Sequence, residues 1–284
     1  MTMRILVTND DGIDSVGLHV LARAMTPHGD VTVVAPDREY SGAGAALGAL
    51  HLMQPGVQRR FIEGVPQAWA LNGAPALCVL YARLGLFDGR FDLVVSGINP
   101  GANVGRSVYH SGTVGAALTA RLGGINAIAV SQAVDGFGVE GQGWDEMVRG
   151  QRWHTAAAVA SSMVASLVAA PPTTPVVLNV NVPNLELDEI KGWRRAIVGT
   201  VPPRAMSSAT MEAREGHEGT FNVRMTWGDP VELPIETDGG AVEAGEVAVT
   251  YLGKLEGLTG LEGEDAAGAT AAERALDSLL SDRH

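Results

Sequence analysis

The apolar run Ile5-Leu6-Val7 opens from Arg4, closes on Thr8, and stops abruptly at Asn9-Asp10-Asp11-Gly12. A strand that is apolar on both faces needs cover on both faces, which a one-sided antiparallel sheet does not supply. The pattern recurs at residues 31–35 before Pro36, at 93–95, at 127–130 and at 176–180 before Pro183. Between these runs the apolar spacing becomes helical. Leu18, Leu21, Ala22 and Met25 share one face before Pro27; Leu77, Leu80, Tyr81 and Leu84 share another. Residues 113–122 and 155–170 read as two further helices, the first built from small residues. Strands alternating with helices predict an α/β fold: a mostly parallel sheet with helices on both faces.

From about residue 191 the pattern changes. Residues 221–227 and 247–252 read as antiparallel strands in a region rich in Gly, Pro and Glu; 271–280 reads as a terminal helix and 257–268 as a linker. The expected organisation is therefore a core over 1–190 and a C-terminal, β-rich extension over 191–284, used in contacts between subunits. With 284 residues, 46% of them hydrophobic, the chain can bury such a core.

Charge narrows the partners. The formal net charge is −12, which works against broad contact with a nucleic-acid duplex or an anionic membrane, both of which need clustered Lys and Arg. A small phosphorylated substrate stays compatible, because a bound cation or a helix N-terminus outweighs a distant field. Cys78 is the only cysteine, so an internal disulfide is excluded and a reducing, cytoplasmic setting is expected. Residues 1–4 lead straight into a strand, without a secretory pattern. The long apolar stretch 156–170 is broken by Ser161, Ser162 and Ser166 and is too short to cross a bilayer.

In open α/β sheets, ligands bind outside the carboxyl ends of the strands. That rule gathers Asn9-Asp10-Asp11-Gly12, Pro36-Asp37-Arg38-Glu39-Tyr40-Ser41-Gly42 and Ser96-Gly97-Ile98-Asn99 at one cleft, to which they offer two carboxylates, a hydroxyl and an amide oxygen. All are hard oxygen donors, which suit Mg²⁺, Mn²⁺ or Ca²⁺ better than Zn²⁺. Neighbouring carboxylates repel, and a divalent cation relieves that repulsion. The plainer alternative for Asp10 and Asp11 is a turn with a helix N-cap.

Gly101-Ala102-Asn103-Val104-Gly105 and then Ser111-Gly112-Thr113 precede a helix. Backbone N–H groups at a helix start make an anion site, with Gly112 allowing close approach and Ser111 and Thr113 adding hydroxyls; an ordinary Ser/Thr cap is the alternative. No Gly-Lys-Ser/Thr ends this loop, so it is not a Walker A motif. Asp10 and Asp11 stand where a dinucleotide fingerprint wants glycines. No His-Glu-x-x-His pair or Gly-x-Ser-x-Gly elbow occurs. His110, beside the anion loop, is either a proton donor to a leaving group or a partly buried structural residue.

Together these segments resemble the SurE survival protein family. Residues 4–12, Val34-Ala35-Pro36-Asp37-Arg38 with Ser41-Gly42, Asp92 through Gly105, Ser111-Gly112-Thr113-Val114 with Ala116-Ala117, and Asn179-Val180-Asn181-Val182-Pro183 carry the likeness, which returns weakly at 238–252. The resemblance implies a Rossmann-like core, a C-terminal arm used in homodimers or homotetramers, and divalent-metal-dependent hydrolysis of nucleoside 5′- or 3′-monophosphates, with short polyphosphate as a further substrate. It implies one divalent cation per subunit, Mg²⁺ or Mn²⁺, with Ca²⁺ possible in crystals, on Asp10, Asp11, Ser41 and Asn99. It places phosphate at Asn103 and Ser111-Gly112-Thr113; Asn9, Gly42 and Gly101, in the same loops, join the substrate-binding candidates. Leu77, Thr119, Tyr40, the 45–48 stretch and Tyr251 depart from the family's usual residues.

The expected chemistry has the cation polarise a phosphate oxygen and acidify a water, with Asn103 and the loop N–H groups stabilising the equatorial oxygens. Direct attack by an aspartate is the variant. Two rivals stay open. One is a nucleotide-binding protein without turnover, motivated by Leu77 and Thr119. The other is a metal-dependent transferase using a nucleotide-linked donor, motivated by acidic residues at a strand end.

Overall fold

The structure is a computed structural model. It describes residues 2–50, 52, 54–135, 148–201, 206–229, 231–255, 273, 274 and 276. The chain divides into two compact units, residues 1–252 and 253–284, and the first holds every element discussed here. The linker expected at 257–268 lies outside the described residues, as does most of the helix expected at 271–280.

Among the described residues a nine-stranded sheet forms the centre of the first unit. Its strands are β1 (Arg4–Thr8), β2 (Asp30–Pro36), β3 (Val57–Arg60), β4 (Gln67–Leu71), β5 (Leu93–Pro100), β6 (Asn126–Gln132), β7 (Val177–Val182), β8 (Gly192–Arg195) and β11 (Glu246–Tyr251), in the order β3-β4-β2-β1-β5-β6-β7-β11-β8. The block from β4 to β7 is parallel throughout; β3 pairs antiparallel to β4 and β11 antiparallel to β7. The α-helices among the described residues are α1 (Val16–Met25), α2 (Pro75–Arg83), α3 (Gly112–Leu122), α4 (Trp153–Ala169) and the short α5 (Asp238–Glu243). A separate hairpin joins β9 (Met206–Ala213) to β10 (Phe221–Trp227).

Each strand's alternation shows why its run is apolar on both faces. Ile5 and Val7 pack with Leu18, Leu21, Ala156 and Val164 from α1 and α4. Leu6 faces the other way, toward Leu77, Val79, Val114 and Ala117 from α2 and α3. The predicted doubly covered parallel sheet is the observed one. Small residues let α3 lie close: Ala116, Ala117 and Ala120 are fully buried.

Three features differ from the sequence expectation. β5 does not end at Val95 but stays paired with β6 through Pro100, with a shift of register between Gly97 and Asn99. A side chain at Gly97 would collide with the Val130 carbonyl, so glycine lets the two backbones approach. β3 and β4 add an edge that their composition did not announce. Beyond residue 190, β11 joins the main sheet between β7 and β8, antiparallel to the one and parallel to the other, while 221–227 is antiparallel as expected, in its own hairpin. Among the described residues no helix is long and apolar enough to cross a membrane.

Candidate active site

Strand order reverses between β1 and β5. The chain leaves β1 for β2 and β4 on one side and returns to β5, β6 and β7 on the other. Loops leaving these two strands diverge and open a crevice at their carboxyl ends. Asp10 and Asp11 follow β1, and Asn99 is the penultimate residue of the neighbouring strand β5, so they stand at the same end of the sheet. The Tyr40 N–H donates to the Asp10 carbonyl at 2.7 Å, which draws the 37–42 loop alongside. Ser41 is exposed there, its N–H on the Glu39 carboxylate at 3.2 Å. Gly42 is exposed too, with φ +79°.

Asp10 is buried and well supplied with donors. The Thr113 hydroxyl donates to one of its carboxylate oxygens. Burial pushes its carboxyl above the ordinary value; the Thr113 hydroxyl and the N–H groups of Thr113 and Gly112 pull it part of the way back. A Cβ on Gly112 would stand 2.8 Å from the Asp10 Cβ and 2.9 Å from Oδ2. The start of α3, expected to face a free oxyanion, is therefore turned on a carboxylate of the chain itself. Ser111 caps α3, its hydroxyl accepting from the Val114 N–H at 3.1 Å.

Asp11 is the opposite case. Both its carboxylate oxygens are buried, and among the described residues neither meets a hydrogen-bond donor from another residue. Burial, then the charges of Asp10 and Glu39, push its carboxyl well above the usual carboxylate range. An ionised carboxylate in that setting is costly unless a cation compensates it. Asn9 Oδ1 and Ser96 Oγ are further buried oxygens without partners among the described residues, and Ser96 is the register neighbour of Thr8 across β5 and β1. The amide nitrogen of Asn99 donates to the Gly101 carbonyl at 2.6 Å, which leaves Oδ1 as a ligand atom. Among the described residues no three His, Cys, Asp or Glu side chains cluster as a metal site. An ion here needs a mixed set of carboxylate, hydroxyl and amide oxygens, a set that fits Mg²⁺, Mn²⁺ or Ca²⁺.

The raised Asp10–Asp11 pair sets a pH dependence. Above the ordinary carboxylate value of 3.8 the folded metal-free chain still holds a proton that the unfolded chain has lost. Its stability therefore falls as pH rises through that window. A cation must expel the proton, so the apparent affinity for Mn²⁺ is expected to climb with pH across the window and then level off. Calorimetry in two buffers of different ionisation enthalpy measures the proton release; an affinity that ignores pH there would contradict the assignment.

The remaining candidates are placed as follows. The Asn9 amide nitrogen donates to the Gly12 carbonyl at 3.1 Å and to the Ser15 hydroxyl at 2.8 Å, organising the turn that carries both aspartates. Gly101 has φ +108° and donates its N–H to the Gln132 carbonyl at 2.7 Å. Asn103 is buried in an amide cluster. Its N–H donates to Asn181 Oδ1 at 2.7 Å and its Nδ2 to the Ser131 hydroxyl at 2.9 Å. Its carbonyl accepts from Asn179 Nδ2 at 2.9 Å and Asn181 Nδ2 at 3.1 Å.

The model of the family described as "Survival protein SurE" matches residues 5–203. The chain belongs to the SurE survival protein family. A 5′-nucleotidase SurE of Mannheimia succiniciproducens is 37% identical over 253 residues, covering 87% of this chain and 91% of that protein. One from Legionella pneumophila (strain Lens) is 39% identical over 198 residues, covering 70% and 71%. The crystal structure of the SurE protein from Aquifex aeolicus superposes with a TM-score of 0.71 at 30% identity, covering 97% of this chain and 99% of that one.

The chain absorbs its departures at Leu77 and Thr119 into packing. Leu77 is fully buried against the α2–α3 core. Thr119 is also buried, its hydroxyl turned back onto the Gly115 carbonyl at 2.7 Å. Neither carries a group onto the Asp10–Asp11 pair. The side chain of His110 is exposed rather than partly buried, and its carbonyl accepts the Gly44 N–H at 2.9 Å. Sequence reasoning missed two residues. Glu39 adds a third negative charge facing Asp11; its place in the 37–42 loop was the available signal. Asp238 is buried against backbone N–H groups of Gly105, Gly199 and Gly239, and only the weak family likeness at 238–252 pointed toward it.

Proposed function

We propose that the chain is a divalent-metal-dependent phosphatase that hydrolyses nucleoside monophosphates to nucleoside and inorganic phosphate. The observation that carries the proposal is the Asp11 carboxylate, buried beside Asp10 at the switch point of the sheet with no partner among the other described residues. The curated relatives from Mannheimia and Legionella, both called 5′-nucleotidases, support the same reading. Asp10, Asp11, Ser41 and Asn99 would hold Mg²⁺ or Mn²⁺, with Ca²⁺ an acceptable substitute in crystals. The chemistry a cation held by these residues would supply is polarisation of a phosphate oxygen and acidification of a water.

The chain's own groups do the rest. Thr113 and the α3 N–H groups hold Asp10 in one orientation, so its free lone pairs are fixed before substrate arrives. Asp11, with no hydrogen bonds to satisfy, can turn its second oxygen to a water and accept its proton. Asn103 keeps one Nδ2 hydrogen beyond the bond to Ser131, available to an equatorial phosphate oxygen. Asn9, Gly42, Gly101 and the Ser111-Gly112-Thr113 turn would border the same phosphate.

The core over 1–190 would supply this chemistry, and the extension over 191–284 contacts in a homodimer or homotetramer. Met211, Phe221, Val223 and Met225 on the β9–β10 hairpin are exposed apolar side chains that support such contacts. A cytoplasmic setting fits the single buried thiol, Cys78.

Purified protein is given a panel of nucleoside 5′- and 3′-monophosphates and short polyphosphate, with Mn²⁺ or Mg²⁺, and phosphate release is followed with and without chelator. Release that a chelator stops and Mn²⁺ restores is the expected result. Tight nucleotide binding without release, or transfer from a nucleotide-linked donor with release of nucleoside diphosphate, would overturn the proposal.

A further inference from the structure

We propose that Asp238 is a positioning residue for the phosphate side of the site, its buried carboxylate locking Gly105 and with it the loop that carries Asn103. The inference rests on the reading of Asn103 as a donor to substrate, and it assigns a role in the chemistry to the segment after residue 190.

The geometry is a three-way junction. Both oxygens of Asp238 accept from the Gly105 N–H, at 3.1 and 3.0 Å. Oδ1 also accepts from the Gly199 N–H at 3.0 Å and from the Gly239 N–H at 2.9 Å. The Asp238 N–H donates to the Ile197 carbonyl at 2.9 Å. One side chain thus joins the loop after β5, the segment after β8 and the start of α5. Gly105 has φ +54° and packs on the Gly199 carbonyl, so its backbone is specialised for this junction.

The junction matters because of what lies on each side of Gly105. Two residues upstream, Asn103 is fixed to β6 and β7 through Ser131, Asn179 and Asn181. Downstream, a 3₁₀ turn over Gly105–Tyr109 leads to Ser111 and the start of α3, whose donors hold Asp10. The loop between Asn99 and Thr113 therefore has an anchor at either end of the site, and Asp238 is its mid-point clamp. Burial raises the Asp238 carboxyl above its ordinary value, and the three backbone N–H groups pull it down. The site thus spends stability on keeping a carboxylate inside. An acceptor-only group meets three N–H donors without conflict, whereas an isosteric amide would turn its NH₂ on one of them.

The test is a double-mutant cycle on the full chain: wild type, Asn103→Ala, Asp238→Asn and the double variant. Each is assayed for kcat/KM on a nucleoside monophosphate at saturating Mn²⁺. Affinity for inorganic phosphate with Mn²⁺ present, by calorimetry, is the parallel readout that does not need turnover. Affinity for Mn²⁺ alone is measured as well.

Asp238→Asn is expected to lower kcat/KM and phosphate affinity about tenfold or more, as a loop displaced by a fraction of an ångström does. Mn²⁺ affinity should stay within about twofold of wild type, because the β5–β6 ladder holds Asn99 and the Thr113 hydroxyl holds Asp10, bonds that the substitution leaves in place. The double variant should be no worse than Asn103→Ala alone, a non-additivity that general destabilisation would not produce. Should Asp238→Asn fold poorly, Gly199→Ala gives the same cycle, since its Cβ would press on Asp238 Oδ1 at 3.3 Å without removing a hydrogen-bonding group.

A clamp variant that behaves as wild type while Asn103→Ala is impaired would overturn the role of Asp238 and leave the phosphatase reading intact. Additive losses, or a parallel loss of Mn²⁺ affinity, would also overturn it. Asn103→Ala with wild-type phosphate affinity would remove the premise and the inference together. A wild type that binds phosphate but releases none from any nucleotide would sink the phosphatase reading alone.

Discussion

Asp11→Asn is expected to lower kcat/KM for a nucleoside monophosphate by about a thousandfold, equivalent to roughly 4 kcal/mol of transition-state stabilisation, while making the metal-free protein harder to melt. Both effects have one cause. The Asp11 carboxylate is buried with no hydrogen-bond donor from the other described residues and faces the charges of Asp10 and Glu39. Without a cation that arrangement disfavours folding at neutral pH, and the neutral amide removes the repulsion. A gain of about 1 kcal/mol raises the melting temperature by about 2–4 °C in a chain of this size. With Mn²⁺ added the order reverses: wild type gains stability by mass action, and the variant gains little. Thermal scans with and without Mn²⁺, beside the activity assay, read all of this. A variant that keeps near-normal turnover, or is less stable than wild type without metal, would count against Asp11 as the ligand that metal completes.

Gly112→Ala should cost about a hundredfold in kcat/KM, although it removes no functional group. The added Cβ would lie 2.8 Å from the Asp10 Cβ, 3.1 Å from Cγ and 2.9 Å from Oδ2. A flexible side-chain tip could swing aside, but the contact reaches the first side-chain atom of a buried residue, so β1 or the start of α3 must move. Overpacking of this kind costs about 1–3 kcal/mol, and a displacement near 1 Å at a catalytic carboxylate costs about a hundredfold in rate. Gly124→Ala is the comparison variant: φ is +78° there, yet nothing lies within 4 Å of the new Cβ. It should lose stability through backbone strain and keep its turnover. Measured kcat/KM with urea midpoints separates the two; full activity in Gly112→Ala would mean that α3 does not set the position of Asp10.

The core was legible because its signal is local. Ile5-Leu6-Val7 reads as a doubly covered strand from its own composition, and burial of Ile5 and Val7 on one face and Leu6 on the other follows from strand geometry. The carboxyl-end rule places Asp10, Asp11 and Asn99 at the ends of β1 and β5, strands that are adjacent and parallel in the sheet. What was not legible depends on distant partners. Ser96-Gly97-Ile98-Asn99-Pro100 has the composition of a turn, and only the approach of Val130 shows that it stays on the ladder. The start of α3 reads as an open anion site until Thr113, 103 residues along the chain, is found donating to Asp10. Asp238 sits 133 residues from the Gly105 N–H it accepts, and no local pattern marks it.

Anomalous scattering from a crystal grown with Mn²⁺ tests most directly whether the strand-end oxygens share a cation. The expected result is one strong peak per subunit, within about 2.0–2.6 Å of Asp10 and Asp11 oxygens, the range of hard cations on oxygen ligands, with Asn99 and Ser41 completing the shell. A peak elsewhere, with the Asp11 carboxylate still without a partner, would contradict it.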